Sequence, residues 1–104
     1  MSTVLSDADI QQALQKLPGW KKNGSTIERN FQFANFLQAM DFVNQIAEAA
    51  EALNHHPDIH ISYNKVMMTL ISHDSGGVTQ RDLRMAGRIN ELAPSPPSAL
   101  ERHE

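Results

Sequence analysis

Pro57 separates two segments whose apolar residues follow different periods, and this change constrains the fold more than any other feature. Before Pro57, an alanine-rich segment from Phe36 to about Leu53 has helical spacing, with an apolar stripe of Phe36, Met40, Val43, Ala47 and Ala50. Proline cannot continue a helix and disfavours helical geometry at the residue before it, so this helix should end near His55. The pattern therefore predicts a central helix with two histidines at its exit.

The segment from Asp58 to Ser72 alternates apolar and polar residues with the period of a strand. A tight turn at Asn64-Lys65 would place the apolar side chains on one face, in the pairs Tyr63–Val66, Ile61–Met68 and Ile59–Leu70. The same register sets His56 opposite His73. Because Asn-Lys is a poorer turn pair than Asn-Gly, a longer loop could shift this register by a residue.

A short helix is expected at the start of the chain. Ser6 followed three positions later by Asp9 is typical of a helix start, and helical spacing then relates Ile10, Ala13, Leu14 and Leu17. Pro18-Gly19 should end this helix. The beginning of the chain has neither the basic start nor the apolar run of a signal peptide, and no later stretch reaches membrane-spanning length.

A hairpin is expected between the two helices. Asn23-Gly24 is its strongest signal, because both residues tolerate the positive φ of a type I′ turn, and a two-residue turn there pairs Trp20 with Ile27. The second arm alternates as a strand with one buried face, formed by Ile27, Phe31 and Phe33. Arg29 interrupts that face.

The last periodic segment predicts a third helix. Ser75-Gly76-Gly77 breaks the strand pattern, and Thr79 with Asp82 is typical of an N-terminal cap. The helical face that follows consists of Leu83, Ala86, Ile89, Leu92 and Ala93. Residues 1–93 are expected to form one α+β domain, a helix followed by two hairpin-plus-helix units, and the proline-rich tail Pro94 to Glu104 is expected to be disordered.

Composition excludes several classes of function. The 104 residues include no cysteine, which removes disulfides, thiolate zinc sites and cysteine nucleophiles and is compatible with a cytoplasmic location. The formal net charge is −3, with acids and bases interspersed, so no basic stripe is available for phosphates. Neither direct nucleic-acid binding nor a membrane partner is expected.

Four of the five histidines, His55, His56, His60 and His73, lie in one short segment. Imidazole is the side chain best suited to moving protons near neutral pH. Glu51 stands four residues before His55, where a carboxylate could orient the ring, and Asp82 opens the third helix.

Each residue of this cluster also has a structural interpretation. Glu51 and His55 fit a solvated helix pair, Asp82 fits a helix cap, and Trp20 fits the core. His56, His60 and His73 fit, respectively, a turn, a strand surface and a strand end. The histidines offer enough nitrogen ligands for zinc, but the His-Glu-x-x-His motif is absent, so no metal is expected.

The pattern Glu51-x-x-x-His55-His56-Pro57, followed by Tyr63, His73 and Asp82, resembles the signature of the pterin-4a-carbinolamine dehydratases. This family is also called the dimerization cofactors of a homeodomain transcription factor. The resemblance covers nearly everything except the tail and includes the segments Pro18-Gly19-Trp20, Tyr63-Asn64-Lys65-Val66 and Thr79-Gln80-Arg81-Asp82. It implies a four-stranded antiparallel sheet packed on one side by helices.

The resemblance also implies the chemistry. The expected reaction converts a 4a-hydroxytetrahydropterin to quinonoid dihydropterin and water in tetrahydrobiopterin recycling, without a cofactor. The catalytic residues would be His55, His56 and His73, with His55 the preferred acid and His73 acting from the other side of the reacting carbon. Glu51 would orient His55, and Asp82 would position His73 or a water. The resemblance places Trp20 and His56 at the pterin.

Two further points follow from the resemblance. Asn54 stands where some relatives carry an acid, and a modest effect on the histidines is expected from this difference. The family also includes transcriptional coactivators and proteins that assist assembly, so a non-catalytic binding module with a protein partner is the alternative function. A homodimer or homotetramer is implied, without a choice between them.

Overall fold

The computed structural model describes residues 3–94, which form three helices and one four-stranded antiparallel sheet. The elements are α1 (Asp7–Leu14), β1 (Lys21–Asn23), β2 (Thr26–Gln32), α2 (Phe36–Leu53), β3 (Asp58–Ser62), β4 (Lys65–Leu70) and α3 (Gln80–Leu92). The strand order is β1-β2-β4-β3. This arrangement confirms the expected α+β class and the order of two hairpin-plus-helix units.

One face of the sheet carries the core. Alternate residues of β2 and β4 are buried, and they join buried residues of all three helices in one cluster that includes Ile27, Met68, Leu70, Ile10, Ile46 and Ile89. Full burial of an aliphatic side chain of this size contributes about 1.5–3 kcal/mol. The opposite sheet face is polar, which explains the alternating pattern of both hairpins.

The buried face of α2 differs from the predicted stripe. The helix buries Ala39, Phe42, Ile46, Ala49 and Ala50, whereas Phe36 is 50% exposed and Ala47 is also exposed. The helix has two neighbouring apolar stripes, and the one with Phe42 and Ile46 faces the sheet. The Phe42 ring packs against the rings of Phe31 and Phe33, with centroids 4.9 and 5.3 Å away. This aromatic packing explains why the stripe with Phe42, and not the predicted one, is buried.

The first hairpin turns one residue later than predicted. Asn23 pairs with Thr26, so the central turn residues are Gly24 and Ser25, and Ile27 faces Lys22 instead of Trp20. Of the two central residues only Gly24 has a positive φ, +61°, which is the requirement of a type II′ turn. Thr26 Oγ1 donates to the Asn23 carbonyl at 2.9 Å and supports this register.

The second hairpin also differs in register. Its turn residues are Tyr63 and Asn64, so Ile61 faces Val66 and not Met68. Asn64 is held by Phe33, the residue after β2, because its Nδ2 donates to the Phe33 carbonyl and its own carbonyl accepts from the Phe33 amide, both at 2.8 Å. The pairing moves by two positions, which preserves the apolar face but removes the predicted opposition of His56 and His73.

The helix starts and the end of α2 fall close to the expected positions, since Ser6 and Thr79 cap α1 and α3, and α2 ends at Leu53 before Asn54. The expected end of α1 at Pro18-Gly19 was wrong, because the helix ends at Leu14 and turns follow it. No helix within residues 3–94 is long and apolar enough to span a membrane. The expectation of a disordered tail falls, except for Pro94, outside the described residues.

Candidate active site

The end of α2 fixes the backbone of His55. Asn54 adopts the left-handed conformation (φ 53°, ψ 42°), which asparagine tolerates better than most residues. The Asn54 amide donates to the Glu51 carbonyl, and the His55 amide donates to the Ala50 carbonyl at 3.1 Å. This pair of bonds is the Schellman pattern. The histidine is therefore attached to the rigid end of a helix.

The His55 ring contacts a buried carboxylate. His55 Nε2 lies 2.6 Å from Asp82 Oδ1, and the side chains of His55 and Asp82 are 11% and 0% exposed. An ionised carboxylate only accepts hydrogen bonds, so beside ionised Asp82 the His55 ring carries a proton on Nε2. The same bond fixes the plane of the ring and leaves Nδ1 as the nitrogen available for proton transfer.

Asp82 receives two further hydrogen bonds. Its Oδ2 accepts from the Ser72 hydroxyl at 2.8 Å and from the Thr79 amide at 2.9 Å. The Ser72 proton is thereby used, so Thr79 Oγ1 donates to Ser72 Oγ across 2.8 Å. Ser72 and Thr79 are buried like Asp82. A buried charge needs such compensation, and these contacts satisfy it.

Ser72 was not among the residues singled out from the sequence. Its signal was present, because Val66, Met68, Leu70 and Ser72 occupy alternate positions and only Ser72 is polar. A polar residue in a buried row must have a hydrogen-bond partner. That partner, Asp82, is ten positions away in sequence and was not identified by spacing.

Glu51 contacts His56 instead of the expected His55. Glu51 Oε2 lies 2.5 Å from His56 Nε2, and the two side chains are exposed. The expectation of a Glu51–His55 contact assumed that the helix continues through His55. The left-handed Asn54 ends it earlier and turns His55 towards α3.

His73 follows Ser72 and is exposed in the turn that leaves β4. Its ring has no hydrogen bond or ion pair with any other residue of 3–94, and the Asp82 carboxylate expected beside it bonds His55. His60 is also exposed and faces Met67 on the polar side of the sheet. Ser72 thus connects the backbone of His73 to the His55–Asp82 pair. His60 belongs to β3 and has no part in this connection.

Trp20 is 5% exposed and belongs to the core cluster. Its Nε1 donates to Asn90 Oδ1 at 2.8 Å, near the end of α3, and the same oxygen accepts from Arg29. These contacts join β2 and the segment between α1 and β1 to α3. The role of Trp20 beside the pterin stays a prediction.

The described residues contain no group of three or more histidines and carboxylates arranged to hold a metal ion. The arrangement has two histidine–carboxylate pairs of unequal burial, and His73 follows Ser72, which bonds the carboxylate of the buried pair. A ring whose Nε2 is bonded to a carboxylate can exchange a proton at its second nitrogen. The arrangement is therefore suited to acid–base chemistry.

Comparison with known proteins identifies the family. A sequence model of the pterin 4 alpha carbinolamine dehydratase family matches residues 3–92. The chain belongs to this family. Proteins provisionally named pterin-4-alpha-carbinolamine dehydratase in Koribacter versatilis and Picosynechococcus are 58% and 51% identical, covering 90% and 88% of this chain and the whole of each relative.

Solved structures support the same fold. A transcriptional coactivator/pterin dehydratase from Brucella melitensis is 38% identical with a TM-score of 0.85, over 88% of this chain and 100% of that one. A pterin dehydratase-like RuBisCO assembly factor of the alpha-carboxysome is 25% identical with a TM-score of 0.63, over 75% and 93%. The pterin dehydratase fold thus occurs in proteins described both as enzymes and as assembly factors.

Proposed function

We propose that this chain dehydrates a 4a-hydroxytetrahydropterin to the quinonoid dihydropterin. In this reaction the C4a–oxygen bond breaks and the hydroxyl leaves as water after it gains a proton. N5 loses its proton, and a C4a–N5 double bond forms. The observation that supports the proposal most is the buried Asp82 carboxylate bonded to His55 in a member of the dehydratase family.

His55 is the preferred acid in this proposal. Asp82 holds the Nε2 proton, so the proton delivered to the leaving hydroxyl comes from Nδ1 of a doubly protonated ring. Such a carboxylate–histidine pair also keeps the ring in one tautomer and orientation through the reaction. Ser72 and Thr79 hold the carboxylate in turn, which makes the donor a preorganised group.

His73 is the proposed base that accepts the N5 proton. It is exposed and has no partner among the described residues, so its ring is available to a ligand. His56, held by Glu51 at the surface, is the proposed contact to the pterin ring and a third proton-transfer group. Trp20 is proposed to border the pterin only through its family position, because its described contacts are in the core.

The test is the dehydration of freshly generated 4a-hydroxytetrahydropterin, followed by ultraviolet absorbance. Wild type should exceed the spontaneous rate, and His55→Ala and His73→Ala should each lose about 100-fold or more, the usual contribution of general acid–base groups. His60→Ala is the matched control, because His60 is an exposed histidine outside the site. A wild-type rate equal to the spontaneous rate would exclude the proposed dehydratase activity.

A binding module is the second candidate, favoured by the two structural relatives described as a coactivator and as an assembly factor. In that case His55→Ala would change neither the fold nor any function of the protein that can be measured. We propose a cytoplasmic homodimer or homotetramer that serves tetrahydrobiopterin recycling, with a protein partner as an additional role. Size measurement by light scattering distinguishes the two assemblies.

A further inference from the structure

Arg81 occupies a position that helix electrostatics disfavours. It lies in the first turn of α3, where the helix dipole is positive and a cation is unfavourable. Its Nε is buried and has no hydrogen-bond partner within residues 3–94. Arg81 Nη2 donates instead to Asp74 Oδ1 at 2.5 Å and lies 3.5 Å from Ser75 Oγ. The guanidinium therefore makes its contacts away from its own helix.

The contacts of Arg81 reach the segment that carries His73, here called the His73 turn, residues 72–77. A bridge between Ser72 and Gly77 closes this turn, and the amides of Ser75 and Gly76 both donate to the Ser72 carbonyl, at 3.0 and 2.9 Å. The turn thus has a defined internal geometry. Side-chain contacts attach it to the rest of the protein.

Two of these attachments are on either side of His73. Ser72, just before it, is hydrogen-bonded to Asp82, and Asp74, just after it, is paired with Arg81. Arg81 and Asp82 are consecutive residues of α3. The buried attachment also orders His55, whereas the Asp74–Arg81 attachment is at the surface, with 69% and 36% of the side chains exposed.

We infer that Arg81 is a positioning residue, which through Asp74 holds His73 at a fixed place relative to the His55–Asp82 pair. This inference rests on the proposed dehydratase function. Arg81 acts through His73 and not on the pterin itself. The guanidinium also holds the pKa of Asp74 below its ordinary value of 3.8, mainly through the hydrogen bond, in agreement with a formed ion pair.

An alternative interpretation is that the pair only stabilises the fold. Exposed ion pairs contribute little to stability, because water and salt screen them. Misplacement of a catalytic group by about 1 Å, in contrast, can cost about 100-fold in rate. Stability and turnover therefore separate the two interpretations.

The kinetic experiment compares Arg81→Gln, Asp74→Asn and the double variant. We expect kcat to fall about 10-fold in each single variant with KM nearly unchanged, since a partly released turn still samples the productive position. The double variant should fall no further than the single variants, because both changes remove the same contact. The matched control is Arg88→Gln, which breaks the ion pair Arg88–Glu91 on the same helix, 3.0 Å long, and should leave kcat unchanged.

Two outcomes of this experiment would contradict the inference. If Arg81→Gln lowers the melting temperature more than Arg88→Gln does while kcat is unchanged, the pair is structural and the inference is wrong. If the two single losses multiply in the double variant, Arg81 and Asp74 act separately and the inference is also wrong.

A second measurement needs no substrate. In nuclear magnetic resonance spectra, Arg81→Gln should shift the His73 ring signals and lower the backbone order parameters of residues 73–76, while the His55 and His60 rings stay unchanged. Unmoved His73 signals would overturn the inference even if the wild type is active. Loosening of the turn in a protein without dehydratase activity would instead identify the proposed function as the part that failed.

Discussion

At the scale of single residues, the site depends on a carboxylate that the sequence assigned to a helix cap. Asp82 does take part in the capping box of α3, since its Oδ2 accepts from the Thr79 amide. Its second oxygen is free to bond His55. One buried side chain therefore begins a helix and bonds a histidine, and that histidine is His55 instead of the expected His73.

Removal of the Ser72 hydroxyl tests how Asp82 is held. Ser72→Ala leaves the buried carboxylate with two of its three donors, so the free energy of unfolding should fall by about 1.5–3 kcal/mol, the value for hydrogen bonds to charged groups. Urea denaturation measures this change. Ser62→Ala, an exposed serine on β3, is the control and should change stability little. Equal stability of the Ser72 variant and wild type would show that water replaces the hydroxyl.

The titration of Asp74 tests the contact with Arg81. The hydrogen bond and charge of Arg81 lower the Asp74 pKa from its ordinary value of 3.8. Because the pKa is lower in the folded state, the pair stabilises the protein above the ordinary pKa and is lost as pH falls through the lowered one. A carboxyl titration by nuclear magnetic resonance should show this pKa rising in Arg81→Gln. An identical titration in both proteins would mean that the pair does not form in solution.

At the scale of elements, signals close in sequence predicted helices well and registers poorly. Capping residues and Pro57 placed α2 and α3 almost correctly, because each helix end is determined by its own neighbours. The predicted register of the second hairpin was wrong because Asn64 bonds to Phe33, which directly follows β2, a contact between residues 31 positions apart. Likewise His55 was assigned to Glu51 by helical spacing, while the turn at Asn54 directs it to Asp82.

Substitutions at Asn54 test whether this turn positions His55. Alanine disfavours the left-handed conformation, so Asn54→Ala should lower the free energy of unfolding by about 1 kcal/mol and also reduce turnover. Asn54→Gly should retain both, since glycine adopts this geometry freely. Asn54→Asp should retain the backbone and change the pH dependence of turnover only modestly. Activity that appears only in the Asp variant would contradict this account of the site.

At the scale of the whole molecule, the site forms where three elements meet at one end of the sheet. Pairing of Asp58 with Thr69 brings the start of β3 beside the end of β4, so the segments with His55 and Ser72 are neighbours. The first turn of α3 supplies Asp82 to both. The family resemblance predicted this fold, and its site residues stay a prediction, because the contacts expected for Glu51 and Asp82 are made with other histidines. Those contacts depend on burial depth, which local spacing does not encode.

The central claim is that His55 and Asp82 act as one unit in pterin dehydration. It is tested most directly by the dehydration rate of wild type, His55→Gln, Asp82→Asn and the double variant. We predict acceleration by wild type, a loss of at least about 100-fold in each single variant, and a double variant no slower than the slower single one, as for residues that act together. A wild-type rate equal to the spontaneous rate, or losses that multiply, would contradict the claim.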